Sequence, residues 1–398
     1  MRSIEYEPRN VKEILTAMKD TSELMVDLAY SAVLYRNREM ANEVLELEEH
    51  MNVLVYHARI SLMMAARNTK EAKQLAGVFQ IADAAENISN AAKDIARVMT
   101  SDIGISDEFR AALPEAEEVI MRTKVKEGSI LAGKTLEEIN LETDTGVRLI
   151  AIRRDDDWIF DPGPETHLHR DDVMFGEGPR DGVKEVHEKA TGGELVIREY
   201  EGSEIENLEK AIDIAVEMKD VSELAVGLGY SAALFQNKEI AGEVRALEAD
   251  TDDLMQELQR WVLESARQVD DINDLRGILQ LAVSSEEITD AALQLADAVM
   301  RDIELHPVFE QALGESSEII TKIYVEEGSE LEGMTLGGEK VESETGMHVM
   351  GIRGEDGWVY RPKANTEVLA GDVLIVRGTR AGSEKLGNLS SRDRDSKE

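Results

Sequence analysis

The sequence predicts a multi-domain protein of mixed class: two α-helical bundles alternating with two small α+β domains, related as an internal pseudo-two-fold repeat. Three observations predict it. Met18 to Asn37, MKDTSELMVDLAYSAVLYRN, returns 200 positions later as Met218 to Asn237, MKDVSELAVGLGYSAALFQN, with 13 of 20 residues identical. The register then holds without a gap: Arg67 falls on Arg267, Gly128-Ser129 on Gly328-Ser329, Trp158 on Trp358 and Asp172-Val173 on Asp372-Val373. Such a period exceeds the about 20–50 residues of solenoid repeats, so it marks a duplicated multi-domain unit whose copies can pack as two subunits do. Within each unit, a long helical texture gives way once to short strand-like runs.

Taken in order, residues 1–8 form a polar arm, whose Glu5-Tyr6-Glu7 recurs as Glu199-Tyr200-Glu201. Val11, Ile14, Leu15 and Met18 then follow the i, i+3, i+4, i+7 spacing of an amphipathic helix. Asn37 punctuates, a second helix is expected over 38–67, and a third over 69–101. The third carries an alanine face (Ala82, Ala85, Ala92, Ala96) that permits close helix approach. A shorter helix is expected from about Ser106 across Pro114. Residues 9–122 thus read as one bundle of antiparallel helices. From Thr123 the apolar residues fall in short runs broken by Gly and Asp. These are strands, with a short helix at 135–139 and a hairpin across Asp155-Asp156-Asp157. The strand domain is expected over 123–180. The polar stretch 181–206, with Gly192-Gly193, reads as a linker. The plan repeats as a bundle at 207–321 and a strand domain at 322–386. Residues 387–398 read as a disordered tail.

The totals narrow the function classes. There are 82 acidic and 44 basic residues, a formal net charge of −38. Such a surface repels phosphate backbones and anionic lipids, so no nucleic-acid partner is expected. The even spread of the acidic excess reads as adaptation to a salty cytoplasm, hence a halophile, where screening weakens self-repulsion. The absence of cysteine excludes disulfide and thiol chemistry. With no apolar run of about 18 residues and no signal-peptide core, a cytoplasmic protein is expected.

Three patterns carry chemistry. Gly128 to Thr135, GSILAGKT, fits the P-loop spacing. A P-loop, however, needs a buried strand before it and a long helix after it. Here charged residues precede, only a turn or two of helix follows, and Met334 replaces Lys134 in the second copy. Nucleotide hydrolysis is therefore not expected. On the second bundle, Glu248 and Asp252 are i, i+4 on one helix, and Glu286 and Asp290 are i, i+4 on the next. Side by side, these four carboxylates can converge on a hard cation such as Mg, Mn or Fe, or they can form a solvated acidic face. The first unit has Glu48, Asn52, Glu86 and Asn90 instead. An amide ligates without charge, so weaker cation binding is expected there. His167 and His169 face Glu367 and Leu369 in the other copy and read as surface residues.

Val125 to Gly178 carries E-G-S-x-L-x-G-x-T-L, then T-G-V-x-L-x-A-I-R, then a tryptophan with a following proline. Val325 to Gly378 closes with Gly371-Asp372-Val373-Leu374 and Val376-Arg377-Gly378. Both stretches resemble the TrkA-C (RCK-C) domain. The resemblance implies a small ligand-sensing module of cation transporters that works as a dimer, which one chain could supply internally. Some members bind cyclic di-adenosine monophosphate through an Arg and an Asn six positions later. Those places resemble Glu142 and Arg148, and Glu342 and His348. That ligand is therefore not implied, and Arg148 and His348 remain as candidates for a nucleotide-like or other anionic effector. The helical frames L-E-x-x-x-D and E-x-I-x-D-A-A resemble the PhoU family. This resemblance implies a divalent or iron-type cation held by Glu248, Asp252, Glu286 and Asp290.

Together these resemblances are similar to archaeal-type PhoU/TrkA-C regulatory proteins. They imply a non-enzymatic, ligand-sensing regulator of membrane ion transport, for potassium or another cation. The expected partners are a membrane transporter or channel, at which the chain would sit peripherally, a small-molecule effector, and a second copy in a homodimer. Two alternatives stay open: control of phosphate uptake, and a carboxylate metal-binding storage protein. The Glu-x-x-His pairs of di-iron bundles are lacking, which counts against the second.

Overall fold

Asparagine side chains set the starts of the long helices. Asn10 Oδ1 accepts from the Lys12 amide at 3.0 Å, Asn37 from Glu39 and Met40 at 3.0 and 3.1 Å, and Asn68 from Lys70 and Glu71, both at 3.0 Å. They open α1 (Val11–Leu34), α2 (Arg38–Ala65) and α3 (Thr69–Thr100), close to the expected bounds. The computed structural model describes residues 10–101, 118–155, 157–195, 206–266, 272–301, 318–338, 341–355, 357–360 and 362–392, with 268 and 307 besides. The N-terminal arm, the helix expected from Ser106 and the end of the tail lie outside the described residues.

The three-residue links Tyr35–Asn37 and Ala66–Asn68 make neighbouring helices antiparallel, and all three pack on one another. The alanine face of α3 is buried, and α3 runs along its counterpart in the second bundle. That bundle comprises α7 (Glu206–Phe235), α8 (Lys238–Ser265) and α9 (Ile272–Met300). Asn237 caps α8 as Asn37 caps α2. Both bundles contribute to a single apolar core.

A seam of hydroxyls joins α1 to α7. Ser22 Oγ lies 2.6 Å from the Tyr230 hydroxyl, and Tyr30 OH lies 2.8 Å from Ser222 Oγ and 2.7 Å from Ser285 Oγ. Position 22 meets 230 and position 30 meets 222, so the two helices cross antiparallel about a pseudo-two-fold axis. Ser22 gives its own proton to the Lys19 carbonyl, which leaves Tyr230 as the donor in its pair. Lys19 lies over the Tyr230 ring and Lys219 over the Tyr30 ring. Burial pushes both phenols far above the ordinary tyrosine range.

In the first α+β domain, β1 (Glu118–Lys124), β2 (Arg148–Arg154), β3 (Asp157–Phe160) and β4 (Val173–Pro179) form an antiparallel sheet in the order β1-β4-β2-β3. Two short helices, α4 (Leu136–Ile139) and α5 (Leu141–Thr145), precede β2. Thr135 and Glu138 close a capping box on α4, a helix of four residues. The P-loop spacing is thus spent on a capped single turn, as its flanking residues indicate.

The stretch 181–206 corrects the sequence reading. It begins with α6 (Arg180–Thr191), whose Val183, Val186 and Ala190 are buried against the sheet. Only three apolar residues are needed to dock so short a helix, and among charged neighbours they carry little periodic signal. Gly182 lets it dock: a Cβ there would stand 2.0 Å from the Thr145 carbonyl oxygen.

The second domain repeats the plan with β5 (Glu318–Tyr324), β6 (Met334–Thr335), α10 (Val341–Thr345), β7 (Met347–Gly354), β8 (Gly357–Tyr360), β9 (Glu367–Val368), β10 (Val373–Thr379) and α11 (Arg380–Ser390). Its main sheet has the order β5-β10-β7-β8, with β6-β9 as a separate pair. Here the expected tail is also corrected. α11 runs to Ser390 with Leu386 buried, and Arg392 bridges to Ser329, so 387–392 belong to the domain.

Each sheet has two working faces, because strand side chains alternate. In the first domain, Met174 and Leu149 face the domain's own core and α6. Val173, Phe175, Ala151, Trp158 and Phe160 belong to the bundle core. Trp158 stacks on both Phe160 and Phe175 there.

Candidate functional site

Two places gather charged side chains: the bundle-facing sheet surfaces, and the helix faces with the expected carboxylates.

On the sheets, a buried glutamate holds each domain to its bundle. Glu43, on α2, is 3% exposed, and its Oε1 accepts from Arg122 Nε at 3.0 Å, Arg122 NH2 at 2.9 Å and Arg153 NH2 at 2.7 Å. Arg122 comes from β1 and Arg153 from β2, so one carboxylate gathers two strands. The other oxygen, Oε2, is buried with no hydrogen-bond donor among the described residues. In the second unit, Glu243 on α8 takes Lys322 Nζ at 3.1 Å and Arg353 NH1. The duplication has kept this joint while exchanging Arg for Lys.

Beside it, the two sheets meet. Glu177 Oε1, on β4, lies 3.3 Å from Arg377 NH2, on β10. Arg148 stands opposite Glu177 in the β2–β4 register, and His348 stands opposite Arg377 in the β7–β10 register. Cross-strand partners share a face. The structure therefore brings the expected effector residues Arg148 and His348 to one junction, each beside a member of the inter-sheet ion pair. Both are half-buried, and Arg148 NH2 also lies 3.8 Å from Asp161 Oδ1. Asp20, on α1, adjoins this junction. Burial pushes its carboxyl up to about 6; Glu23 and Asp161 add to the rise, and Lys19 opposes it. His167 and His169 are exposed on the far loop.

On the helices, α8 carries Glu248 and Asp252, and α9 carries Glu286 and Asp290. Glu248 and Glu286 are half-buried, while Asp252 and Asp290 are exposed. The carboxyl of Glu248 is pushed up by burial and then by Asp252 and Asp290. Glu286 is pushed up by burial, then by Asp290 and Asp252, and Asp290 by burial and Asp252. The four are thus brought into one field across two helices. As the side chains stand, however, no three acidic or histidine side chains among the described residues form a ligating group.

The first unit tests whether a cation fits these positions. Lys93 Nζ lies 3.0 Å from Glu48 Oε1 and 2.8 Å from Asn90 Oδ1. One ammonium therefore bridges the helix pair at the places of Glu248 and Asp290. Asn52 donates to Glu48 Oε1 at 3.0 Å, and Arg59 NH2 lies 2.6 Å from Glu86 Oε2. One ammonium thus spans the helix pair in the first unit, while the corresponding positions of the second unit carry four carboxylates that, as they stand, do not converge on a metal. Lys93 and Arg59 escaped the sequence reading. Their signal lay in the repeat, where they become Leu293 and Gln259.

Comparison with known proteins agrees with this division. The TrkA-C domain model matches residues 120–191 and 320–391, and the PhoU domain model matches 15–99. No curated protein matches the chain. Among solved structures, PhoU from Pseudomonas aeruginosa is 14% identical, with 73% of this chain and 93% of that one covered and a TM-score of 0.38. The GsuK RCK domain is 13% identical, with 71% and 64% covered and a TM-score of 0.19, so under two thirds of that protein is spanned. BusR of S. agalactiae, in complex with its busAB-promoter DNA, is 14% identical, with 47% and 100% covered and a TM-score of 0.18. Among the described residues no helix is long and apolar enough to cross a membrane. The helices α7, α8 and α9 repeat α1, α2 and α3 at an offset of 200 positions. The chain thus carries a PhoU domain at 15–99 and TrkA-C domains at 120–191 and 320–391, and its second helical bundle is an internal copy of the first.

Proposed function

We propose that the chain is a non-enzymatic regulator of membrane ion transport. An effector at the junction of the TrkA-C domains would shift their mutual arrangement, and the PhoU bundles would carry that shift to a cation channel or transporter. One observation carries the reading: Arg148, His348, Glu177 and Arg377 converge where the two sheets meet, on the faces that Glu43 and Glu243 tie to the bundles. A guanidinium and an imidazole suit an anionic, nucleotide-like effector. Such an effector regulates only if it prefers one arrangement of the sheets.

The test is thermal melting and calorimetry of the full chain with ADP, NAD and cyclic di-adenosine monophosphate as probes. The same titrations are then run on Arg148→Ala and His348→Ala. A probe that raises the melting temperature in the wild type and loses at least tenfold in affinity in both variants supports the reading. Binding that both variants leave unchanged overturns the junction as its site. Control of phosphate uptake is the reading that the helical half supports by itself. Capture of a phosphate transporter rather than a cation channel from membranes would favour it.

A second reading concerns the bundle. Glu248, Asp252, Glu286 and Asp290 would hold a divalent cation, which Lys93 favours by occupying the corresponding place in the first unit. When bound, the ion supplies the positive charge that offsets four carboxylates. Elemental analysis beside Asp252→Asn/Asp290→Asn decides it: metal present in the wild type and lost in the variant is expected, and none in either ends the reading.

A further inference from the structure

Each α+β domain carries a buried carboxylate at the end of its main sheet, and only the first domain answers it with a cation of its own. There Asp172, 1% exposed, closes the turn before β4, and its Oδ2 accepts from the His169 amide at 2.7 Å. Arg154, the last residue of β2, meets this carboxylate fork to fork, with Nε 2.9 Å from Oδ1 and NH2 2.7 Å from Oδ2. The same NH2 donates to the His167 carbonyl at 2.7 Å.

The second domain keeps every acceptor of that guanidinium. Asp372 is 6% exposed, and its Oδ2 accepts from the Leu369 amide at 2.8 Å. The turn is the same: the Asp372 amide donates to the Leu369 carbonyl at 3.1 Å, as Asp172 does to His169 at 3.3 Å. Glu367, the counterpart of His167, pairs with Thr335 as His167 pairs with Thr135. Arg154, however, has become Gly354. Asp372 Oδ1 reaches toward it, since a Cβ there would stand 2.9 Å from that oxygen. Gly354 is not among the residues of left-handed backbone, so its conformation does not call for glycine. Among the described residues the Leu369 amide is the one donor to this carboxylate. The surroundings change in the same sense, with Arg170 becoming Ala370 and His167 becoming Glu367. A sheltered carboxylate that loses its counter-ion is costly to leave alone.

We propose that Asp372 and the Glu367 carbonyl form a binding site for a guanidinium group from outside the chain, seated as Arg154 is seated in the first domain. Asp372 takes two N–H donors side by side, and the carbonyl takes a third. A planar fork of five donors fits these acceptors, whereas an ammonium is a compact point charge. The group comes from a free guanidino compound or from an arginine side chain of a partner protein, for which Leu369, 53% exposed, offers an apolar neighbour. The site lies six residues along β7 from His348, about 20 Å at the rise of a strand, and is independent of the effector junction.

Calorimetry of the full chain with methylguanidinium tests it, in about 0.5 M potassium chloride to screen the acidic surface. Wild type should bind one per chain, and methylammonium should bind at least tenfold more weakly. Gly354→Arg needs only a small turn of the Asp372 carboxylate; it should bind none and melt at a higher temperature than wild type. Arg154→Gly should bind two, with its lowered melting temperature recovered by the ligand. No binding to wild type, binding that Gly354→Arg leaves unchanged, or equal binding of methylammonium overturns the inference. The peptide acetyl-Leu-Arg-Leu-amide separates the two sources. Binding at least tenfold tighter than methylguanidinium identifies an arginine side chain of a partner, and a peptide no tighter leaves a free guanidino compound as the source.

Discussion

Glu177 and Arg377 occupy the same position in the two repeats, carry opposite charges, and meet at 3.3 Å where the sheets touch. Pairing of the first sheet with a first sheet from another chain would set glutamate against glutamate, and pairing of two second sheets would set arginine against arginine. Only a first sheet with a second is complementary here, so the pair favours unlike over like partners. Arg377→Glu should cost about 1–2 kcal/mol in urea unfolding. Adding Glu177→Arg should restore most of that. A double variant no better than the single would mean that the charges are not coupled.

Glu43 is the next point of leverage. Its removal leaves Arg122 and Arg153 without their shared carboxylate in a buried seam. Glu43→Gln should destabilise by about 3–5 kcal/mol. Hydrogen exchange should place the loss at α2 and at strands β1 and β2, where the three groups sit. Loss confined to the helices would mean that the glutamate serves the bundle rather than the joint.

The hydroxyl seam predicts an asymmetry. Tyr30 meets both Ser222 and Ser285, whereas position 85, the counterpart of Ser285, is alanine. Tyr30→Phe should cost about 1–3 kcal/mol and should exceed the cost of Tyr230→Phe. Equal costs in denaturant titration would show that the Ser285 contact contributes nothing.

Asp20 gives the pH dependence its sign. Its carboxyl is held up to about 6 in the fold, above the 3.8 of an ordinary aspartate. Between these values the folded chain binds more protons than the unfolded one, so this group's contribution falls as pH rises from 4 through 6. Asp20→Asn should therefore flatten that slope and raise stability at pH 7 by about 1 kcal/mol, a value reduced by solvent screening of the quarter-exposed side chain. A steeper slope in the variant would sink the assignment.

Most of the fold is legible in the sequence because its signals are local. Asn37 and the spacing of Val11, Ile14, Leu15 and Met18 mark the helices, and the bounds expected at 38–67 and 69–101 lie within two residues of those observed. The docked helices at 180–191 and 380–390 were not legible, because a few apolar residues amid charge resemble a linker. Arg148 and His348 were reached through a family resemblance. Their meeting was not, since it depends on how two sheets, 200 positions apart, face each other. Lys93 was hidden for a different reason. Its signal, like that of Arg59, lies in the repeat, where the two basic residues give way to Leu293 and Gln259.

The hydroxyl seam also sets how the molecule comes apart. Tyr30, Tyr230, Ser22, Ser222 and Ser285 carry no charge, and the phenols stay protonated across the accessible pH range. The Glu177–Arg377 contact between the sheets is ionic and partly exposed, so salt weakens it, whereas Glu43 and Glu243 are buried, where screening acts much less. Rising ionic strength therefore loosens sheet from sheet before it parts the sheets from the bundles or one half of the helical spine from the other.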